Sequence, residues 1–256
     1  MKDKRNLLIL VLFIIFIGLS IFVYINKNSN TVYLGNFTKI NLKDNNIEIK
    51  NKNNKISLTK AKIYFNKFFI NGYLKSDKSD INNKKNIYNA YNENGKILDF
   101  NDDLIAYTGN IKIDIANYNE LNIGLDKDFE VIDNFLLSDD GGEIALDFSI
   151  DYLDYRKIIF DIDNDGVDEF IYSIDILEGE TIDYTYVILV DGDETILVDK
   201  RKGKINNANL HKISFFNLID FNNDNKYEIV LRLKTGDYGN NYYKIYNYNK
   251  SVKEIK

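Results

Sequence analysis

The sequence predicts an all-β fold: an N-terminal transmembrane helix followed by propeller-like antiparallel sheet repeats of four strands each. A β-sandwich joined to a two-repeat sheet unit is the alternative arrangement. Three observations predict it. One apolar run near the N-terminus is long enough to cross a bilayer. Beyond it, short runs of Ile, Val, Tyr and Phe alternate with polar residues and are broken by Asn, Asp and Gly, the period-2 pattern of strands. Finally, one plan of strand, acidic loop, strand, connection and hairpin occurs twice, with its first acids, Asp161 and Asp220, 59 residues apart.

The elements follow in order. Residues 1–6 form a short stub carrying Lys2, Lys4 and Arg5. Leu7 to Ile25 is a stretch of 19 residues, apolar except for Ser20 and Tyr24. As a helix it spans roughly 28 Å. The basic stub holds the N-terminus in the cytoplasm, which places the rest of the chain outside the cell membrane. A cleaved signal peptide is the competing reading, with Gly18 and Ser20 as the small residues before a cut, but "IFVYI" continues the apolar run past them. Residues 26–30 ("NKNSN") are a polar tether. Residues 31–256 are the extracytoplasmic β domain.

Composition narrows the chemistry. The chain has no cysteine, so it makes no disulfide and offers no thiol nucleophile or thiolate metal site. Its single histidine, His211, rules out a multi-histidine zinc site. With no proline, every sharp turn falls to Gly, Asn and Asp. This bias, with abundant Asn, Lys, Ile and Tyr, is that of a low-GC bacterial coding sequence. Net charge is −6, and the first five residues are at +2, which leaves −8 on the remainder. A body of that sign repels phosphate backbones, so nucleic acid is not an expected partner.

The clear repeats cover 156–202 and 211–256. The first reads "RKIIFDIDNDGVDEFIYSIDI" and then "YTYVILVDGDETILVDK", with a hairpin turn at Asp191-Gly192. The second reads "KISFFNLIDFNNDNKYEIVLRLKTG" and then "YYKIYNYNKSVKEIK". Upstream, "AKIYFNKFFINGYLKS" with "IYNAYNENGKILDF" repeats the strands and closing hairpin without an acidic loop. "LIAYTGNIKIDIANYN" through "GGEIALDFSI" is a further candidate unit, and Val32 to Ile49 a partial one. No window beyond residue 30 sustains a helical apolar period.

The acidic loops carry the chemistry. Counting from Asp161, oxygen side chains fall at positions 1, 3, 5 and 9: Asp161, Asp163, Asp165 and Glu169. Gly166 stands at position 6, and Val167 at position 7 offers its backbone carbonyl. The second loop places Asp220, Asn222, Asp224 and Glu228 at the same positions, Asn225 at position 6 and the Lys226 carbonyl at position 7. Alternate side chains in a tight turn converge, which suits a hard cation taking six to eight oxygens. Acids converging without one repel each other. An EF-hand needs a glutamate at position 12, where this chain has Tyr172 and Leu231 inside apolar strands. The competing reading of both loops is an empty acidic turn, since Asn-Asp-Gly is good turn chemistry.

The pattern resembles the D-x-[DN]-x-D-G-x-x-[DE] loops of the FG-GAP/VCBS repeat family over roughly residues 156–256. The resemblance implies a calcium-binding loop between two strands of a β-propeller blade. The chain lacks the Phe-Gly and Gly-Ala-Pro elements of that family, and it is too short for seven full blades.

Other features read blandly or both ways. His211 sits at a loop-strand junction as a structural residue. Glu178 and Glu180 are the only hint of a carboxylate hydrolase of the cell envelope, and lie two residues apart. Tyr242, Lys244, Tyr246 and Tyr248 share a strand face that either stacks on a sugar or partner protein or packs inside the sheets. No nucleophile or acid–base motif is recognisable. The expected function is therefore binding or scaffolding at the cell envelope, with a cell-wall glycan or surface protein as partner.

Overall fold

The computed structural model describes residues 30–35, 38–43, 46–50, 56–80, 85–98, 103–121, 126–138, 153–178, 181–205, 209–235 and 241–256. The stub, the expected membrane helix and most of the tether lie outside these residues. Among the described residues no helix is long and apolar enough to cross a membrane. The chain is all-β with antiparallel sheets and divides into two compact units, Met1–Ile111 and Lys112–Lys256.

The first unit is a single eight-stranded antiparallel sheet. Its strands are β1 (Thr31–Leu34), β2 (Thr38–Lys43), β3 (Asn46–Lys50), β4 (Thr59–Phe65), β5 (Phe68–Asp80), β6 (Lys85–Asn92), β7 (Ile97–Leu98) and β8 (Ile105–Thr108). Their order is β3-β2-β1-β8-β4-β5-β6-β7. The meander β4 to β7 is the four-stranded unit expected from the sequence. However, β8 returns to lie between β1 and β4 and fuses that meander with the first three strands. The partial unit and the four-stranded unit are thus one sheet. Alternation assigns faces to strands and leaves their pairing partners open. One face packs Tyr33, Ile63, Leu74, Tyr88 and Ala106 into a core, with Tyr33 and Tyr88 in edge-to-face contact at 5.1 Å.

The second unit holds the acidic loops. Strands β9 (Asp114–Ile115) and β10 (Asn119–Leu121) precede helix α1 (Asp126–Ser138). Then come β11 (Leu153–Phe160), β12 (Glu169–Glu178), β13 (Thr181–Asp191) and β14 (Glu194–Lys202), followed by β15 (Lys204–Ile205), β16 (Asn209–Asp220), β17 (Glu228–Thr235), β18 (Asn241–Tyr248) and β19 (Val252–Ile255). Both predicted repeats form. β11 to β14 make one antiparallel meander and β16 to β19 the other, with the acidic loop between the first two strands each time. The candidate unit upstream of the first repeat does not form among the described residues: β8 joins the eight-stranded sheet, β9 pairs with β16, and β10 pairs with β11, while "GGEIALDFSI" lies outside the described residues. The first hairpin also turns one residue later than expected. Asp191 pairs with Glu194, so Gly192 (φ 55°) and Asp193 are the central residues.

The two meanders stack. Ile158, Ile171, Val187 and Leu189 of the first pack against Ile213, Leu218, Ile229 and Leu231 of the second. Between its short pairings with β15 and β9, β16 lays its free edge on the first meander, where side chains satisfy its backbone. Ile213 N–H donates to Thr185 Oγ1 at 3.0 Å and Phe215 N–H to Ser173 Oγ at 3.4 Å. Lys212 and Asp175 pair across the same seam.

Helix α1 is the element that the strand reading overlooked. Val131, Ile132, Phe135 and Leu136 line one face and pack on Tyr172, Ile174, Tyr186 and Ile188, the opposite face of the first meander. These few apolar residues are diluted by Asp126, Asp128, Glu130 and Asp133, so the window reads as polar. The acids serve the helix: those in its first turn complement the positive end of its dipole. Asp128, only 3 % exposed, also accepts from Lys157 Nζ (2.6 Å) and the Tyr172 hydroxyl (2.7 Å).

Docking of α1 is testable by paired truncations. Ile132 is 1 % exposed and Leu137 47 %. Ile132→Ala is expected to lower unfolding free energy by about 2–5 kcal/mol. Leu137→Ala on the outer face changes it by no more than about 0.5 kcal/mol. Urea unfolding of the two variants measures the difference.

Candidate metal centre

The two acidic loops have the same backbone, built by the same side chains at the same positions. In the first, Asp161 opens the turn. Its Oδ1 accepts the Asp165 N–H (3.1 Å) and its Oδ2 the Gly166 N–H (3.0 Å). In the second, Asp220 does likewise for the N–H groups of Asp224 (3.3 Å) and Asn225 (3.0 Å). Asp165 Oδ1 then accepts from Val167 N–H, and Asp224 Oδ1 from Lys226 N–H, each at 2.9 Å. Position 4 has positive φ in both (Asn164 59°, Asn223 58°), as has position 6 (Gly166 92°, Asn225 65°). Only Gly, Asn and Asp adopt these values at small cost, which is why the loops are written with them.

A glutamate closes each loop from the start of the next strand. Glu169 Oε2 accepts the Ile162 N–H at 2.6 Å, and Glu228 Oε2 the Phe221 N–H at 3.2 Å. Position 2, Ile162 or Phe221, is buried and anchors the turn in the core. The glutamates are buried as well, and this loss of hydration pushes both carboxyls from 4.5 up to about 7. The backbone N–H bonds act the other way, while Asp163, Asp191 and Asp161 push Glu169 further up, as Asp224 and Asp220 do Glu228.

The loops differ in what their side chains enclose. Asp161, Asp163, Asp165 and Glu169 each bring one oxygen to within 4.8 Å of the others. Oxygens bound to one calcium ion lie at most about 5 Å apart, and those bound to magnesium at most about 4.2 Å. The cluster is therefore compact enough for its oxygens to meet one hard cation. Asp163 is only 8 % exposed, and its Oδ1 is buried with no hydrogen-bond partner. Such an oxygen costs about 1–3 kcal/mol unless a donor or cation meets it. In the second loop the place of Asp163 is taken by Asn222. Its Nδ2 donates to Asp224 Oδ2 (2.9 Å) and its Oδ1 accepts the Asp224 N–H (3.1 Å), so this loop satisfies itself.

Val167 and Lys226 lie beside the acidic residues, fixed by their N–H bonds, with exposed side chains. Two groups escaped the sequence reading. Asp191, at the β13–β14 turn, is close enough to push Glu169 up, and Tyr248 donates to its Oδ2 at 2.5 Å. Their signals, a turn acid and a strand tyrosine, carry no mark of their long-range meeting. The tyrosine face of β18 is settled as packing: Tyr246 and Tyr248 are in the core between the sheets, and Tyr246 donates to Asp199 Oδ2 at 2.6 Å. His211 lies within β16 with its backbone paired to Thr235. Of the hydrolase pair, Glu178 ends β12 and Glu180 lies outside the described residues.

Comparison of the chain with protein-family models, curated proteins and solved structures gives no match in any of the three.

The raised carboxyls set the pH dependence of the metal-free protein. Glu169 and Glu228 hold a proton in the folded state up to about pH 7 but in the unfolded chain only up to about 4.5. Folding therefore takes up protons in that window, and stability falls as pH rises through it. Burial raises Asp175 too, adding the same sign. Denaturation in chelator between pH 4.5 and 8 is expected to show this fall. Glu169→Gln and Glu228→Gln should each flatten it, because a glutamine oxygen still accepts the loop N–H without titrating.

Proposed function

We propose that the protein is a membrane-anchored, extracytoplasmic binding or scaffolding protein whose C-terminal β unit is stiffened by calcium at the 161–169 loop. The observation that carries the cation reading is the convergence of four carboxylate oxygens within 4.8 Å of one another, beside a buried Asp163 Oδ1 that has no hydrogen-bond partner. Asp161, Asp163, Asp165 and Glu169 would hold the ion, with the Val167 carbonyl completing the set. The ion supplies positive charge and no reaction. The second loop, with Asp220, Asn222, Asp224, Glu228 and the Lys226 carbonyl, is the weaker site because the Asn222 amide is already spent on Asp224.

Two four-stranded antiparallel meanders, each with its acidic loop between the first two strands, support the likeness to FG-GAP/VCBS blades. The apolar run over 7–25 behind a basic stub supports the anchor and the extracytoplasmic placement. Solvent-accessible carboxylate loops of this kind bind calcium at about 10⁻⁴–10⁻³ M, which is filled outside a cell and empty in cytosol. Occupancy would then report that the domain has reached its compartment. A glycan or surface protein remains the expected partner of such a scaffold.

Thermal unfolding of the full chain in detergent micelles tests the site. Calcium at about a hundred times its Kd stabilises by about 2.7 kcal/mol, a rise in Tm of about 5 °C or more. Asp161→Ala with Asp165→Ala should abolish most of that rise, and Asp220→Ala with Asp224→Ala a smaller part. A melting curve unmoved by saturating calcium removes the cation from the reading.

A further inference from the structure

The first unit carries a feature that neither the acidic loops nor the anchor uses. β4, β5 and β8 line a cavity of about 330 Å³, with Glu93 of the β6–β7 turn at its side. Besides Thr108, six of its side chains are polar: Lys60, Lys62, Asn71, Tyr73, Glu93 and Tyr107. Strand register explains their convergence. Lys62 is opposite both Asn71 and Tyr107, and Lys60 is opposite Tyr73, so all of these project from one face. The two lysines stand two residues apart on β4, their Cα atoms roughly 7 Å apart along the strand.

Among the described residues none of the six has a hydrogen bond or ion pair within the protein. Tyr107 is only 7 % exposed, and its ring is held edge-on against Phe69 at 5.1 Å. Burial also raises the Tyr107 hydroxyl above its ordinary pKa, so it stays a proton donor. Gly72, between the two edges of this site, is pinned as glycine: a Cβ there would meet the Tyr91 carbonyl oxygen and Ile63 Cδ1 at 2.4 and 2.6 Å.

We infer that this cavity is a binding site for a small anionic polyol, a sugar acid or a sugar phosphate. Its volume lies at the lower end of small-ligand pockets, which begin at about 300 Å³. Lys60 and Lys62 supply two cations for one anionic group. Tyr107, Tyr73 and Asn71 supply neutral donors and acceptors for hydroxyls. Glu93 accepts from a hydroxyl and disfavours a second anionic group. Tyrosine rings offer an apolar flank beside the polar groups, the combination that a sugar ring presents in return. The inference stands on the first unit alone, so it survives or fails independently of the calcium loop.

Titration calorimetry of the full chain in detergent micelles, at low salt, tests it with four probes: glucuronate, glucose 6-phosphate, glucose and inorganic phosphate. Glucuronate, glucose 6-phosphate or both should bind with Kd of about 1 mM or below, and glucose at least about tenfold more weakly. Raising salt to about 0.5 M should weaken the anion binding severalfold. Lys60→Ala with Lys62→Ala, both on the exposed face, should lower affinity about tenfold or more while leaving Tm unchanged. Tyr107→Phe, which keeps the ring packing, should lower it severalfold. Which probe binds tells a carboxylate from a phosphate. The inference is overturned if neither anion binds, if glucose or inorganic phosphate binds equally well, or if the double lysine variant retains full affinity.

Discussion

Strands β12 and β13 bury both of their faces, one under helix α1 and the other under the second meander, so their backbone has no solvent on either side. A shift of one residue in either strand would exchange every side chain between two different cores. It would move Tyr172, Ile174 and Tyr186 off the helix, and Ser173 and Thr185 away from the N–H groups of β16 that they satisfy. The free edge of β16 can lie on the first meander only because those two hydroxyls and Asp175 stand where its N–H groups and Lys212 arrive. A buried edge without such acceptors would strand its donors at a cost of about 1–3 kcal/mol each. The register of β12 and β13 thus determines where helix, second sheet and acidic loop all sit, since Glu169 is the first residue of β12.

The acidic loops then show how one backbone accommodates two chemistries. Both turns are held by the same N–H to carboxylate bonds and the same closing glutamate, so the fold of the loop needs no ion. What differs is one side chain at position 3. Asn222 points its own donor at the Asp224 carboxylate and so satisfies the loop from within. Asp163 has no donor to give, and its Oδ1 is buried without a partner. Exchanging an amide for a carboxylate thus leaves the turn with an acceptor that its own hydrogen bonds do not satisfy.

Much of this was legible in the sequence because it is local. The two repeats, the loop between their first strands, the oxygen positions and the special backbone at Gly166 and Asn225 all follow from spacing and turn chemistry. What was not legible is pairing over distance. Nothing in "IAYT" says that it returns between β1 and β4, and nothing in "DI" at 114–115 assigns it to β16. Helix α1 was hidden for a different reason. It buries a narrow face of four residues, and the acids that pair with Lys157 and face solvent flatten its apolar period. The tyrosines of β18 showed which of them share a face, but only the second sheet shows that the face is internal.

The candidate cation site is also less local than its motif. Asp191 belongs to the far hairpin of the first meander, yet its charge reaches Glu169. It is held by the hydroxyl of Tyr248, which comes from β18 of the other sheet. That hydroxyl is in turn pushed well above its ordinary value, by burial first and then by Asp191, Glu169 and Asp163. The hydrogen bond is therefore a donor from one sheet stabilising an acid that adds to the field in the other. If the sheets part, Asp191 loses its donor and the field at Glu169 changes, although no residue of the loop has moved. Conversely, a cation among the four acids relieves the repulsion that opposes keeping Asp191 and Tyr248 in place. A nine-residue peptide carrying "DIDNDGVDE" would have every first-sphere oxygen and none of this coupling. The motif specifies which atoms can meet an ion, and the stacked sheets determine the field in which they meet it.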